Sequence, residues 1–313
     1  MLAYALRRLA ATVAVMAVVA FVVFGLLYLT PGDPAAILAG DAATSDDIRR
    51  IREKLGLDQP FHIRFGAWLW ALAHGDLGTS IFTNLPVTQL IGQRIEPTLA
   101  LTGCTLAVAV LIAVTLGVLA AARAGSWLDR AVMTFSVLGF SVPVFVLAYI
   151  LILVFSIELD WLPVQGYANL RDGFWEWLRH LVLPSIALGT VYMALIARIT
   201  RASMLEVLAQ DYIRTAQAKG LDQAAVLGGH ALKNAAIPIV TIVGIGIALL
   251  ISGAVVTETV FAIPGVGRLT VDAILRRDYP IIQGVTLLFS AVYVFVNLAV
   301  DLSYLFLDPR IRY

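Results

Sequence analysis

The chain has 313 residues, of which 60% are hydrophobic and only 14% charged, and its formal net charge is +1. A soluble domain of this size carries roughly a quarter charged residues, so much of this surface must face lipid. No basic tract is long enough to track phosphates, which excludes a nucleic-acid partner, and the single cysteine, Cys104, excludes disulfides and cysteine-based metal sites within the chain.

A helix needs about 20 apolar residues to cross the hydrocarbon core. Six stretches qualify, at residues 9–29, 99–122, 131–157, 181–199, 237–257 and 281–307. The expected fold is therefore an all-α integral membrane protein with six transmembrane helices. Arg7 and Arg8 precede the first stretch as they would in a signal peptide. Its apolar run exceeds the roughly 7–15 residues of a signal core, and five more spans follow, so it is read as a retained helix. "TPGDP" then stops that helix, since Pro31 and Pro34 bracket a turn. In "SDDIRRIREKLGL", Ser45 is expected as the N-cap, Asp46 and Asp47 suit the positive helix end, and Gly56 ends the helix. "PFHIRFGAWLWALAHGDLG" is aromatic enough to lie along the membrane surface, with Trp68 and Trp70 as interfacial anchors.

Charge sets the orientation. The N-terminus, the 123–130 turn, the 198–236 loop and the tail together hold eleven Lys or Arg against five Asp or Glu. The opposite short loops, leaving aside Glu258 at a span end, hold Arg171, Arg179, Arg268, Arg276 and Arg277 against Glu158, Asp160, Asp172, Glu176, Asp272 and Asp278. The positive-inside rule places the first set, with both termini, in the cytoplasm. Residues 31–96 then form an external segment between the first two spans.

The cytoplasmic loop between spans four and five contains "YIRTAQAKGLDQAAVLGGHALKNAAIP" at 212–238. From Ser203 its periodicity predicts a helix with a polar stripe (Ser203, Glu206, Gln210, Arg214, Gln217) and an apolar one (Leu205, Leu208, Tyr212, Ala216). Gly220 breaks it, Asp222 caps a second helix running to about Asn234, and Pro238 opens the next span. Small residues at the bend (Ala216, Ala218, Gly220, Ala224, Ala225) leave room for another surface. The residues alone leave two readings open, a docking element or an amphipathic helix in the lipid headgroups.

Ala216-x-x-x-Gly220, eighteen residues before Pro238, resembles the coupling loop of binding-protein-dependent ABC importer permeases. "TPGDPAA", "GDLGTS" at 75–80, "ETVFAIPGVGRL" at 258–269, "RDYPIIQG" at 277–284 and the tail "LDPRIRY" are similar, in order, to the dipeptide, oligopeptide and nickel branch of that family. The resemblance implies a type I ABC permease fold. Residues 1–30 would be the N-terminus and first helix, 31–96 the external segment, 97–307 a five-helix core with a coupling loop at 200–236, and 308–313 a cytoplasmic tail. It also implies a place in the bacterial inner membrane and a role as one half of a translocation pathway for dipeptides or oligopeptides. The partners implied are a second homologous permease, two ATP-binding subunits that carry the ATP and Mg, an external solute-binding protein, and membrane lipid. ATPase contact would fall on the 203–236 loop, at Arg214, Thr215, Ala216, Lys219, Gly220 and Leu221, with Pro238 closing it. The general family has Glu-Ala where this chain has Arg214-Thr215, so a contact that needs an acid there is lost.

Other function classes fit less well. The lysines Lys54, Lys219 and Lys233 are followed by Leu, Gly and Asn, so no P-loop is present and the chain is expected to be non-catalytic. The histidines His62, His74, His180 and His230 are scattered, and no cofactor or metal is expected on this chain. An ion-coupled transporter would place ionisable groups at mid-membrane. Only Glu258 and Asp301 come close, both near span ends, Glu258 being expected as an interface-exposed acid and Asp301 as a snorkelling acid or a partner of Arg310 or Arg312. The substrate could also be nickel or glutathione. The glycines of "GIGIALLISGAVV" could face a second permease or pack within the same chain.

Overall fold

A computed structural model describes residues 2–29, 35–36, 44–54 and 56–307. The "TPGDP" turn, the tail, and the expected pairing of Asp301 with Arg310 or Arg312 lie outside the described residues.

Every regular element there is helical, and the one extended contact is an isolated bridge between Thr79 and Pro86. The helices are α1 Leu2–Leu29, α2 Ser45–Lys54, α3 Phe61–Ala73, α4 Val87–Gly92, α5 Ile95–Ala122, α6 Trp127–Ser141 and α7 Val144–Leu151, which continues as a π-helix over Ile152–Glu158. They continue with α8 Phe174–Leu208, α9 Asp211–Ala218, α10 Gln223–Ala225, a π-helical segment Val226–Leu232, α11 Lys233–Val260, α12 Val266–Arg276 and α13 Tyr279–Leu307. By contacts the chain divides into two compact units, Met1–Glu96 with Leu269–Val294 and Pro97–Arg268 with Phe295–Tyr313.

In the first unit, α1 packs on α3 through rings. Phe24 lies 5.4 Å from Phe61, 5.3 Å from Phe65 and 5.2 Å from Trp68, centroid to centroid. Trp68 joins this aromatic cluster and is half-buried, whereas Trp70 is well exposed. Helix α2 already includes Ser45, and the Ile48 amide donates to the Thr44 carbonyl, so its cap falls one residue before the expected one. Two of the quoted motifs meet in this unit. Ser80 of "GDLGTS" donates its hydroxyl to the Asp278 carboxylate of "RDYPIIQG" at 2.6 Å, and the Ile81 amide donates to the same group at 3.3 Å. Asp278 is buried, so these donors supply the partners its charge needs.

The second unit is a helical bundle whose end contacts fix its topology. At one end Ala121, Met204, Ala235 and Ile239 cluster, so α5 and α8 finish where α11 begins. The Asp129–Arg201 ion pair places the start of α6 at that same end. At the opposite end the Gly166 amide donates to the Phe261 carbonyl at 2.8 Å, and the Trp177 indole donates to the Tyr167 hydroxyl at 3.1 Å. The chain from α6 through Glu158 thus crosses the whole bundle. It does not cross straight. The expected single span at 131–157 is two helices bent by 105°. Pro143 has no amide to continue the ladder, and Val142 before it is extended (φ −94, ψ 120).

Four helical stretches are long and apolar enough to span a membrane, the bent pair is a fifth, and Ala11–Gly25 within α1 is a shorter apolar helix. These match the six apolar stretches of the sequence. The fourth span is longer than its expected 181–199, because α8 runs from Phe174 to Leu208 and keeps Pro184 inside it.

Small residues set the helix spacing. Ala109, Ala113, Gly117 and Ala121 recur every fourth residue on the buried face of α5. A Cβ on Gly117 would lie 2.6 Å from the Thr200 Cβ and 2.8 Å from the Ala197 carbonyl oxygen, so α8 crosses there almost backbone to backbone. Gly117→Val should destabilise the bundle by roughly 1–3 kcal/mol through overpacking, read as a lower unfolding temperature in detergent. An unchanged temperature would mean α5 and α8 do not pack at this position. The glycines of the fifth span also face inward. A Cβ on Gly253 would meet Leu188 at 2.8 Å, one on Gly246 would meet Tyr192 at 3.5 Å, and one on Gly244 would overlap Val300. Packing within the chain accounts for them.

Glu258 is not an interface-exposed acid. It is fully buried at the end of α11. One carboxylate oxygen accepts from the Thr98 hydroxyl at 2.6 Å, and the other accepts from the Arg268 amide at 2.9 Å. The Val266 amide in turn donates to the Thr98 oxygen at 2.8 Å. The carboxylate occupies the space that a side chain on Gly265 or Gly267 would fill, so the glycines of "PGVG" exist to admit it.

Candidate functional site

The loop between α8 and α11 folds differently from its periodicity. Helix α8 runs through Ser203 to Leu208 and stops, Ala209 and Gln210 break the path, and α9 starts afresh at Asp211. The break resets the helical phase. The residue that turns inward is Ile213, fully buried, with Ala216 one turn on. Tyr212, expected in the apolar stripe, is 43% exposed.

Ile213 and Ala216 pack with Val226 and Ala231 onto Met204, Ala121, Ala235 and Ile239. Burying Ile213 alone contributes about 1.5–3 kcal/mol. Ala216 therefore serves as the floor of the loop and not as part of an exposed contact. Its small size lets α9 lie close to the bundle.

Gly220 ends α9 as expected. Its amide donates to the Gln217 carbonyl at 2.9 Å, and the Leu221 amide donates to the Ala216 carbonyl at 3.3 Å, the paired bonds of a Schellman cap. That cap requires φ +82 at Gly220, which glycine adopts without a Cβ penalty. Asp222 then caps α10, its side chain accepting from the Ala225 amide at 3.2 Å. The second helix does not stop near Asn234. It continues through the π-helical Val226–Leu232 into α11, and Pro238 sits inside α11 on an exposed face instead of opening it. The wider π turn precedes a proline that removes one amide from the ladder.

What remains on the outer side of the loop is a compact polar face. Arg214 is exposed and sits 3.7 Å from the equally exposed Asp211, a contact that water screens. The Thr215 hydroxyl is turned back to the Asp211 carbonyl at 3.0 Å. Gln217, Ala218, Lys219, Gly220 and Leu221 are all exposed, and an added Cβ on Gly220 would touch nothing within 4 Å. Of the loop residues singled out in the sequence, Arg214, Thr215, Lys219, Gly220 and Leu221 thus share the exposed side, while Ala216 faces in.

The same end of the bundle holds a buried ion pair. Asp129, in the first turn of α6, is buried. It accepts from both Nε and Nη2 of Arg201, the latter at 2.8 Å, and from the Gly125 amide at 2.9 Å. Their separation of 72 residues in sequence hides the pair from any local pattern.

Comparison with known proteins places the chain. Residues 113–313 match the family model described as binding-protein-dependent transport system inner membrane component, and residues 1–102 match its N-terminal companion. The chain is 54% identical, over 99% of both chains, to the probable peptide ABC transporter permease protein y4tP of Sinorhizobium fredii. It is 42% identical, over the full length of both, to the glutathione transport system permease protein GsiC of Salmonella choleraesuis. Among solved structures, a chain of the MetNI methionine ABC transporter in an inward facing conformation matches at a TM-score of 0.59, with 18% identity over 71% of this chain and 97% of the other. That last likeness speaks for the fold of the bundle, and the sequence relatives for the lineage. This chain belongs to the binding-protein-dependent transport system inner membrane component family of ABC permeases.

Proposed function

We propose that the chain is one permease subunit of an ATP-driven importer for short peptides, and that the outer face of α9 with the Gly220 turn is where an ATP-binding subunit docks. The observation that carries this reading is the construction of the loop. Ile213 and Ala216 bolt α9 onto the ends of three spans, so force applied to its polar outer face reaches the bundle instead of being lost in a mobile segment. A helix lying in lipid headgroups would instead present its apolar side to the membrane. Here that side is already used against the protein.

The partners in this reading are two ATP-binding subunits, which hold ATP and Mg, a second permease like this one, and an external solute-binding protein. The loop end faces the cytoplasm and residues 31–96 face outward. Short peptides are favoured as substrates because a 54% identical relative carries that name, and glutathione, the substrate in a 42% identical relative's name, is itself a tripeptide.

Reconstitution tests the whole reading. In liposomes, the chain assembled with its ATPases and companion permease should take up peptides from a casein hydrolysate only with ATP and the binding protein present. The purified chain alone should hydrolyse no ATP and carry no ligand-coupled current. A reporter active only outside the cytoplasm should work within 40–90 and fail within 210–230. Proton- or sodium-driven uptake by the chain alone, or the reverse reporter pattern, would refute the proposal.

A further inference from the structure

We infer that Asp129 and Arg201 form the positioning link that makes the bent α6–α7 pair follow the loop, so that ATPase movement is converted into rearrangement of the pathway. The inference rests on the loop being the ATPase dock. Contact can be followed from residue to residue. The outer face of α9 is fixed by Ile213 and Ala216 to Met204 near the end of α8. Arg201 lies three residues before Met204, and its guanidinium grips the Asp129 carboxylate through two nitrogens. Asp129 belongs to the first turn of α6, and its second acceptor role, toward the Gly125 amide, ties the α5–α6 turn to the same carboxylate.

Helix α6 is the arm of the 105° bend at Val142–Pro143. A bend built on a proline and an extended residue can change angle without breaking helical hydrogen bonds, because none crosses it through the Pro143 nitrogen. The arm therefore needs a handle, and a two-nitrogen grip on a buried carboxylate is a directional one. Other contacts between α6 and α8 are of a different kind. Gly139 faces Ala194 and Thr190, where a Cβ would sit at 3.1–3.4 Å, and such smooth contacts permit sliding. Arg198, one turn before Arg201, lies 5.7 Å from the Phe140 ring, which guides the pair without locking it.

The test uses the assembled transporter with Asp129→Asn, Arg201→Gln and the double variant. Asp129→Asn removes the charge and keeps an oxygen that can accept from the Gly125 amide, while its NH2 takes the place of the oxygen that meets the Arg201 Nε–H. Three quantities are read: ATPase subunits retained on purification, basal ATP hydrolysis, and hydrolysis stimulated by binding protein with casein-hydrolysate peptides. Each single variant should retain its ATPases and basal rate while the stimulated-to-basal ratio falls about fivefold or more, the scale of a site-to-site coupling. The double variant should be no worse than either single one, because the link is already cut. A purely structural pair would lower yield and unfolding temperature and leave the ratio unchanged. That result, or losses that add in the double variant, would overturn the inference. A wild-type chain that retains no ATPases would instead sink the docking proposal.

Discussion

Glu258→Ala should be among the most damaging single substitutions in the chain, costing about 4 kcal/mol of bundle stability. The Thr98 hydroxyl and the Arg268 amide would each lose this acceptor at a buried position, at about 1–3 kcal/mol apiece. The vacated volume beneath Gly265 and Gly267 adds a cavity cost. The α11–α12 connection would also lose what shapes it, since the Val266 amide is held by the same Thr98 oxygen. Glu258→Gln keeps the shape and one acceptor but turns an NH2 toward a donor, so it should lose roughly half as much. Gly265→Ala should imitate Glu258→Ala without removing the carboxylate, because its methyl group needs the space the carboxylate fills and would push it out. Glu176→Ala, at an exposed acid, should change nothing measurable. Unfolding temperature in detergent and the amount reaching the membrane are the measurements. Normal values for Glu258→Ala would show that this turn holds itself together without the carboxylate.

How such a residue escapes a reading of the sequence is instructive. Hydropathy identifies spans because about 20 residues contribute to one sum, and errors at single positions cancel. The six stretches survive for that reason. A single acid at a span end carries no such redundancy. Glu258 looks like a residue at the water interface, and it is enclosed by Thr98, 160 positions away, together with the turn that brings back the Arg268 amide. The same holds for Asp129 and Arg201, whose charges were legible for orientation and whose pairing was not.

The loop shows a different limit. Its bend was readable from Gly220 and Asp222, since caps are local chemistry. Its inner face was legible in part: Leu205, Leu208 and Ala216 of the expected apolar stripe pack inward, while the break at Ala209–Gln210 shifts the phase by one residue at the start of α9, so that Ile213 turns in and Tyr212 out. Ile213 would have been found by counting backward from the Gly220 cap, at steps of three or four through Ala216. Pro143, inside an apolar run, was a legible signal for the bend.

Gly220→Val should separate folding from coupling more cleanly than any other change in the loop. The Schellman cap holds residue 220 at φ +82, where a β-branched side chain costs roughly 1–2 kcal/mol or more of backbone strain. Nothing lies within 4 Å of the added Cβ, so no clash transmits the change to the bundle. In the proposed docking, the valine methyls would stand where the ATPase surface approaches, and relief of the strain would tilt α9 away from α10. Ala216→Asp attacks the same loop from beneath. It buries a charge among Ile213, Val226 and Met204, with no partner there to meet it, and should release α9 from the bundle altogether. Lys233→Ala lies on the exposed side of α11 and should be mild. All three variants should reach the membrane, Gly220→Val at near-normal levels and Ala216→Asp somewhat reduced. Only Lys233→Ala should still bring the ATPase subunits through purification and sustain uptake of casein-hydrolysate peptides. If Gly220→Val co-purifies with the ATPases and transports at the normal rate, α9 and its turn are not the docking element.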